Sequence, residues 1–438
     1  MQTIIKSLSV KKIFTYLVFA FIFCTALFTR SFIGLSILGF RIGELLVGVG
    51  LTTALYFLFF GKPEAIFRLK ESKITILYKA IIILFLIRSF SDFRNIDLYL
   101  FKSSSTIWTI SFIFIGLFVS SISDNDVLIK LGFSLLPFTV YIFQTGNFPN
   151  FIIDFFIEYS DKFQFMKAAD MVLIIIISTL FLFLYTENKV FAIYFANLTS
   201  FLFLPLIAIN SRGAVLGLFL FVIFYNFFEK KLLKDMSWKV ILFVLLNVVV
   251  FSYSSLRVSN IGADRSSPES VGISDLPKVV FDIADEKSTQ DVFLSLYFSE
   301  GRIFSTDPTT NWRLDIWQDV ISDLNNKNLM IYGYGYESII PVMTDPSAPG
   351  RLGRDGLNEH VHNFFMTTFA RGGILNFILF VYFYYQVLQK LKSSNLKQHA
   401  YTFLVPCLVM SSLDITMDGV QFPMLYYFFI GYFLQKQD

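Results

Sequence analysis

The chain has 438 residues, 55% of them hydrophobic and only 16% charged, with a mean hydropathy of +0.62. Soluble domains run at roughly 45–50% apolar and about 25% charged, so this composition excludes a soluble protein and points to the bilayer. The net charge of +3 carries no sign of a nucleic-acid partner, and 55 Phe suit a lipid-facing surface.

A bilayer-spanning helix needs about 20 predominantly apolar residues. Twelve such segments are expected, near residues 12–29, 43–60, 73–90, 105–122, 127–145, 168–185, 189–209, 213–228, 238–254, 372–389, 398–413 and 419–435. The expected fold class is an all-α polytopic membrane protein: about 12 transmembrane helices with one large, partly helical loop. Lys6, Lys11 and Lys12 before the first apolar run resemble a signal peptide. No small-residue cleavage site follows and further spans do, so the run reads as a retained helix. Cys24 and Cys407 lie far apart in apolar runs and read as lipid-facing or core residues.

The expected organisation is residues 1–254 for helices 1–9, residues 255–361 for the loop, and residues 362–438 for helices 10–12. Lys and Arg concentrate in segments such as Lys62–Lys73, Lys230–Lys234 and Lys390–Lys397. By the positive-inside rule both termini are then cytoplasmic and the large loop is external. That loop carries nine Lys/Arg against sixteen Asp/Glu and is net acidic by seven. Its first half, Asn260 to Asp285, reads as irregular. The chain shows no internal repeat.

The segment Asp307 to Asn325 predicts a helix, started by Asp-Pro with a hydroxyl cap from Thr309 or Thr310 and ended near Asn326. With Arg313 at zero on a helical wheel, Val320 and Leu324 fall within about 20° and Trp317 at about 40°. Asp315, Asp319 and Asp323 occupy the other side. Arg313 therefore sits in the apolar face and in the first turn, where the helix dipole disfavours a cation. A compensating anion is expected, either a bound ligand held by the guanidinium fork or a carboxylate of the fold. Snorkelling off a surface helix is the further alternative.

Asn210-Ser211-Arg212-Gly213 interrupts two apolar runs as a tight turn, with Ser211 placed to cap the following span. An arginine beside that helix N-terminus makes either an anion site or an anchor to lipid headgroups. Two of the three histidines stand in Asn358-Glu359-His360-Val361-His362-Asn363, where the loop re-enters the membrane. With no third His and no Cys nearby, a metal site is disfavoured, and a general base or hydrogen-bond donor fits better. The third, His399, stands near a cytoplasmic end and reads as incidental. Arg371-Gly372-Gly373 then breaks the apolar pattern, predicting a short helix, 362–371, before the tenth span. Asp414 and Asp418, in the last external turn, are candidates to position His362 or an acceptor sugar, or are solvated loop residues.

Three features in this order resemble the O-antigen ligase and Wzy-type O-antigen polymerase superfamily. They are Ser211-Arg212-Gly213; Arg313-x-x-x-Trp317 with Gly333-Tyr334-Gly335; and His362-Asn363 with Gly372 and Gly373. The resemblance implies a GT-C-like, metal-independent, inverting glycosyltransferase of the bacterial inner membrane, active on the periplasmic side and without a cofactor. Its donor would be a glycan on undecaprenyl diphosphate and its acceptor a second glycan, with a chain-length regulator as a further partner. By similarity, Arg212 and Arg313 would hold the diphosphate, and His362 would act on the acceptor hydroxyl as base or orient it. Ser211, Trp317, His360, Asn363, Asp414 and Asp418 complete the expected substrate-binding set.

Polymerisation is preferred to transfer onto lipid A core, because a heavily phosphorylated acceptor favours a basic loop and this one is acidic. The ligase pattern also commonly carries Gly, Thr or Tyr three residues past the motif glycine, where this chain has Asn376. A lipid-linked glycan transporter is the reading from another class. Related halves and ionisable midplane sites, which transporters usually show, are not evident.

Overall fold

The computed structural model describes residues 10–59, 73–89, 98–123, 126–145, 149–161, 166–235, 239–262, 295–353, 356 and 359–435. Helix α1 (Val10–Ile33) leads through a small hairpin, β1 (Ser36–Ile37) and β2 (Phe40–Arg41), into α2 (Ile42–Phe59) and α3 (Lys73–Ser89). Three short pieces follow, α4 (Leu98–Ser103), α5 (Ser105–Thr109) and α6 (Phe112–Ile122), and then α7 (Val127–Gln144) and α8 (Asn150–Tyr159). The middle of the chain forms α9 (Ala168–Tyr185), α10 (Lys189–Asn210), α11 (Arg212–Phe228), α12 (Lys230–Asp235) and α13 (Lys239–Gly262). After a second antiparallel hairpin, β3 (Leu296–Ser299) and β4 (Arg302–Ser305), come α14 (Pro308–Asn326), α15 (Phe364–Lys392), α16 (His399–Leu413) and α17 (Gln421–Gln435).

Among the described residues seven helices are long and apolar enough to cross a membrane. They are Lys11–Ile33, Ser105–Ile122, Val127–Gln144, Ala168–Tyr185, Lys189–Asn210, Ile241–Ser259 and Phe364–Lys392. Ile42–Tyr56, Arg212–Phe228 and His399–Leu413 are apolar but shorter. Twelve spans is the expectation, and among the described residues length and apolarity carry seven. The span expected over 105–122 is among the seven, with α5 and α6 joined by a turn at Ile110 and Ser111, and α13 runs past residue 254 to Gly262. Most of the loop's expected irregular half lies outside the described residues.

Helix α9 is apolar all round, and it is buried from Ala168 through Leu182, as a helix without a polar face must be. It packs against α7, α10, α11 and α16. The closest approach is α6 on α17, where a Cβ on Gly116 would stand 1.9 Å from the Phe428 carbonyl oxygen and one on Gly431 1.9 Å from that of Ile113. Small residues at such crossings let backbones meet where the hydrophobic effect gives no drive. Rings of Phe19, Phe133, Phe181 and Tyr432 interlock in edge-on and stacked pairs in the same region. Both cysteines are free.

His399 is not incidental to the fold. It is buried, and its Nε2 lies 2.7 Å from the Glu229 carboxylate, so it ties the end of α11 to the start of α16.

The predicted break at Arg371-Gly372-Gly373 is present. Gly373 has φ +67° and ψ −170° inside α15, a region open essentially to glycine alone. A broken helix leaves backbone groups that must find partners, and the Gly-Tyr-Gly segment supplies them. The amides of Tyr334 and Gly335 donate to the carbonyls of Ala370 and Arg371 at 2.8 and 2.9 Å, and the Ile374 amide donates to Met330 at 2.9 Å. Arg88 Nη2 donates to the Gly333 carbonyl at 2.8 Å, and Arg371 Nη1 to that of Gly335 at 3.2 Å. Asn376 Nδ2 donates to Tyr336 Oη at 3.1 Å. A Cβ at Gly373 would stand 2.2 Å from the Ile331 carbonyl oxygen. Gly373→Val is therefore expected to unseat this segment and lower the melting temperature of the detergent-purified protein by several degrees, since a strained backbone alone costs about 1–3 kcal/mol. An unchanged melt contradicts the docking.

The loop has its own small core. Ile316, Val320 and Leu324 of α14 pack with Ile340, Met343, Val361 and Ala370, all essentially inaccessible. The opposite face of α14 is neutralised: Arg302 pairs with Asp315 and Asp319 at 2.8 Å each, and the buried Arg351 pairs with the same two carboxylates.

Candidate functional site

The predicted start of α14 is correct in place but differs in chemistry. Its cap is a carboxylate, not a hydroxyl: Asp307 Oδ2 accepts the Thr310 amide at 2.7 Å. Its other oxygen accepts Arg212 Nη1 at 2.8 Å. One nearly buried side chain thus joins the loop helix to the first residue of α11. Burial pulls the Asp307 carboxyl upward, but the Thr310 bonds and the Arg212 guanidinium hold it below the usual range.

Ser211 is the single residue between α10 and α11, and its Oγ accepts the Ala214 amide at 3.3 Å, as predicted for a cap. The same hydroxyl lies 3.5 Å from Asp414 Oδ2. The other Asp414 oxygen accepts the Ile415 amide at 2.7 Å.

Arg313 reaches across to the end of α16, where Nη1 donates to the Leu413 carbonyl. Among the described residues it forms no ion pair, and its Nε is buried without a hydrogen-bond partner. Burial lowers its pKa, and the neighbouring Asp414 and Asp307 offset this in part while Arg212 adds to it. Two guanidinium groups are therefore held within electrostatic reach of each other, one in an ion pair with a carboxylate and the other in none among the described residues.

His362 sits in the left-handed region at φ +55°, with its ring edge-on to Trp312 at 5.0 Å between centroids. Trp317 Nε1 donates to the Val361 carbonyl at 2.6 Å, and Asn363 Oδ1 accepts the Met366 amide at 3.1 Å as the cap of α15. Both residues thus fix the backbone that aims His362. Burial, then the Arg313 charge, push the His362 pKa down to about 3 against the pull of Asp414, so the ring is a neutral imidazole across the physiological range. His360 Nδ1 stands 3.6 Å from Asp418, whose side chain is nearly buried.

The structure brings Ser211, Arg212, Arg313, His362 and Asp414 to one end of the bundle, with His360 and Asp418 beside them. The N-termini of α11, α14 and α15 meet there, adding their positive dipole ends to the two arginines. Asp307 and Trp312 join the cluster, and neither is among the site residues the sequence predicts. The Asp-Pro pair marked Asp307 as a helix start, and nothing local marks its pairing with Arg212. No group of three or more His, Cys, Asp and Glu able to hold a metal occurs among the described residues.

Residues 196–381 match the family model described as O-Antigen ligase. The match takes in the Arg212, Arg313 and His362 motifs and stops short of Asp414 and Asp418. No curated protein matches the chain. The match supports a relationship of residues 196–381 of this membrane protein to the O-antigen ligase and polymerase superfamily.

Proposed function

We propose that this protein is an inner-membrane glycosyltransferase that polymerises undecaprenyl-diphosphate-linked repeat units of O-antigen or a related surface polysaccharide at the periplasmic face. The family implies a glycosyltransferase-like activity on a lipid-linked glycan and an acceptor. The observation that carries the mechanism is the convergence of Arg212, Arg313, His362 and three helix N-termini at one end of an apolar bundle.

Displacement at the anomeric carbon builds negative charge on the departing diphosphate. Cations fixed where that charge develops lower the barrier without having to reorganise. Arg313 offers a fork with no carboxylate paired to it among the described residues, and Arg212 shares its charge with Asp307. On the other side of the sugar, the neutral imidazole of His362 accepts the acceptor hydroxyl's proton or a hydrogen bond from it, with the Asp414 carboxylate within electrostatic reach. The mechanism is inverting and routes no step through a metal.

The net acidic loop favours a glycan acceptor over phosphorylated lipid A core. Asn376, which departs from the ligase pattern, is here engaged with Tyr336 in seating the Gly-Tyr-Gly segment. Purified protein supplied with a lipid-linked repeat unit is expected to give a ladder of longer lipid-linked glycans on a gel. Transfer to added lipid A core without a ladder assigns ligation instead, and neither product overturns the transferase reading.

A further inference from the structure

A cation outside the motif set and outside the matched segment lies at the same end of the bundle. Lys167 is the residue before α9, half-buried, and its Nζ donates to the Ile415 carbonyl at 3.1 Å. Ile415 belongs to the turn that carries Asp414 and Asp418, and its amide is held by the Asp414 carboxylate. The charged groups around the Lys167 ammonium are Arg30 at the end of α1, Asp414, Asp170 in the first turn of α9, and Asp418. Asp170 is 3% exposed, and among the described residues its Oδ2 has no hydrogen-bond partner. Ionisable groups at the edge of an apolar bundle are costly to keep there and mark function more often than not. Asp414 therefore lies within electrostatic reach of two cations, Arg313 of the loop helix and Lys167 just ahead of α9.

We propose that Lys167 is a positioning residue of the transfer site, fixing through the Ile415 carbonyl the turn that presents Asp414 to His362. Its charge, shared with Asp170, acts together with that of Arg313 on the Asp414 carboxylate, which orients the imidazole during proton transfer. This rests on reading the site as a glycosyl-transfer centre.

The test uses full-length purified protein and a lipid-linked repeat unit. Lys167→Gln can still donate to the Ile415 carbonyl but lacks the charge. It is expected to lower kcat up to about a hundredfold, the scale of a small misplacement of reacting groups, with KM for the donor within about threefold. Lys167→Arg restores most of the rate. Because Lys167 acts through Asp414, the Lys167→Gln, Asp414→Asn double variant is no slower than Asp414→Asn alone. Additive losses, a change confined to KM, or wild-type turnover in Lys167→Gln overturn the proposal.

A second readout needs no catalysis. Ile415→Cys, in a background with Cys24 and Cys407 replaced by Ala, is labelled with a soluble maleimide. Its labelling rate is expected to rise several-fold on adding Lys167→Met, and an unchanged rate overturns the role of the turn. An inactive wild type with a Lys167-dependent labelling rate would count against the functional reading and leave the positioning role intact.

Discussion

Arg313→Lys is expected to reduce glycan formation by about 10²–10³-fold, the loss typical of removing one fixed electrostatic donor at a developing anion. The substitution keeps a positive charge, so a simple Coulombic role predicts little change. The structure argues otherwise. Arg313 spends one nitrogen on the Leu413 carbonyl and leaves the rest of its fork uncommitted, with no carboxylate paired to it among the described residues. A lysine ammonium can replace the bond to Leu413 but has no planar second edge with which to meet a diphosphate. Membrane expression and melting temperature are expected to stay near wild type, because among the described residues the Arg313 side chain bonds the fold only at that carbonyl. Full activity in purified Arg313→Lys would sink the anion role. Lost expression would assign the residue to folding.

The two arginines are unlike, and the difference bears on their order of action. Arg212 meets the donor already balanced by Asp307, which is itself committed to capping α14. An incoming diphosphate gains less there than at Arg313, which is desolvated and in no ion pair among the described residues. Arg313 is therefore the stronger draw for the anion. Arg212, held through Asp307, sets the distance between the loop helix and α11.

Much of this arrangement is legible in the sequence because local chemistry dictates it. An Asp-Pro start, an apolar face and Asn326 delimit α14, and Ile316, Val320 and Leu324 are indeed inaccessible. Ser211 caps α11 as its position between two apolar runs predicts. Gly372-Gly373 breaks α15 where the apolar pattern falters. What the sequence hides are partners chosen by tertiary packing. Arg212 finds Asp307 and Arg313 finds Leu413, pairs separated by 95 and 100 residues. The Gly-Tyr-Gly segment fills the break in α15 through backbone bonds, which side-chain patterns do not encode. Lys167 looks like any loop lysine until the 414–420 turn is folded over it. His399 looks incidental for the same reason, because Glu229 reaches it only once α11 and α16 are packed.

His362→Ala is expected to lower kcat by about 10²–10⁴-fold, the range for loss of a general base, and the wild-type pH profile should show how the base works. In the free enzyme, burial and Arg313 hold the His362 pKa down to about 3, whereas the unfolded chain takes up that proton near pH 6.5. Between those values the unfolded state binds more protons, so stability rises with pH. This contribution is fully present above about 6.5 and is lost as pH falls toward 3. His362→Asn should therefore melt with a weaker acid sensitivity than wild type across that window. For catalysis the same shift makes the imidazole a ready but weak acceptor. Donor binding changes this, because a diphosphate beside Arg313 cancels the charge that depresses His362 and raises its affinity for the acceptor's proton. The acid limb of kcat, which reports the donor-bound enzyme, should then lie at higher pH than that of kcat/KM, which reports the free enzyme. Coincident limbs would exclude this coupling. An acid limb near 6.5 in kcat/KM would place the essential base elsewhere than the buried ring at 362.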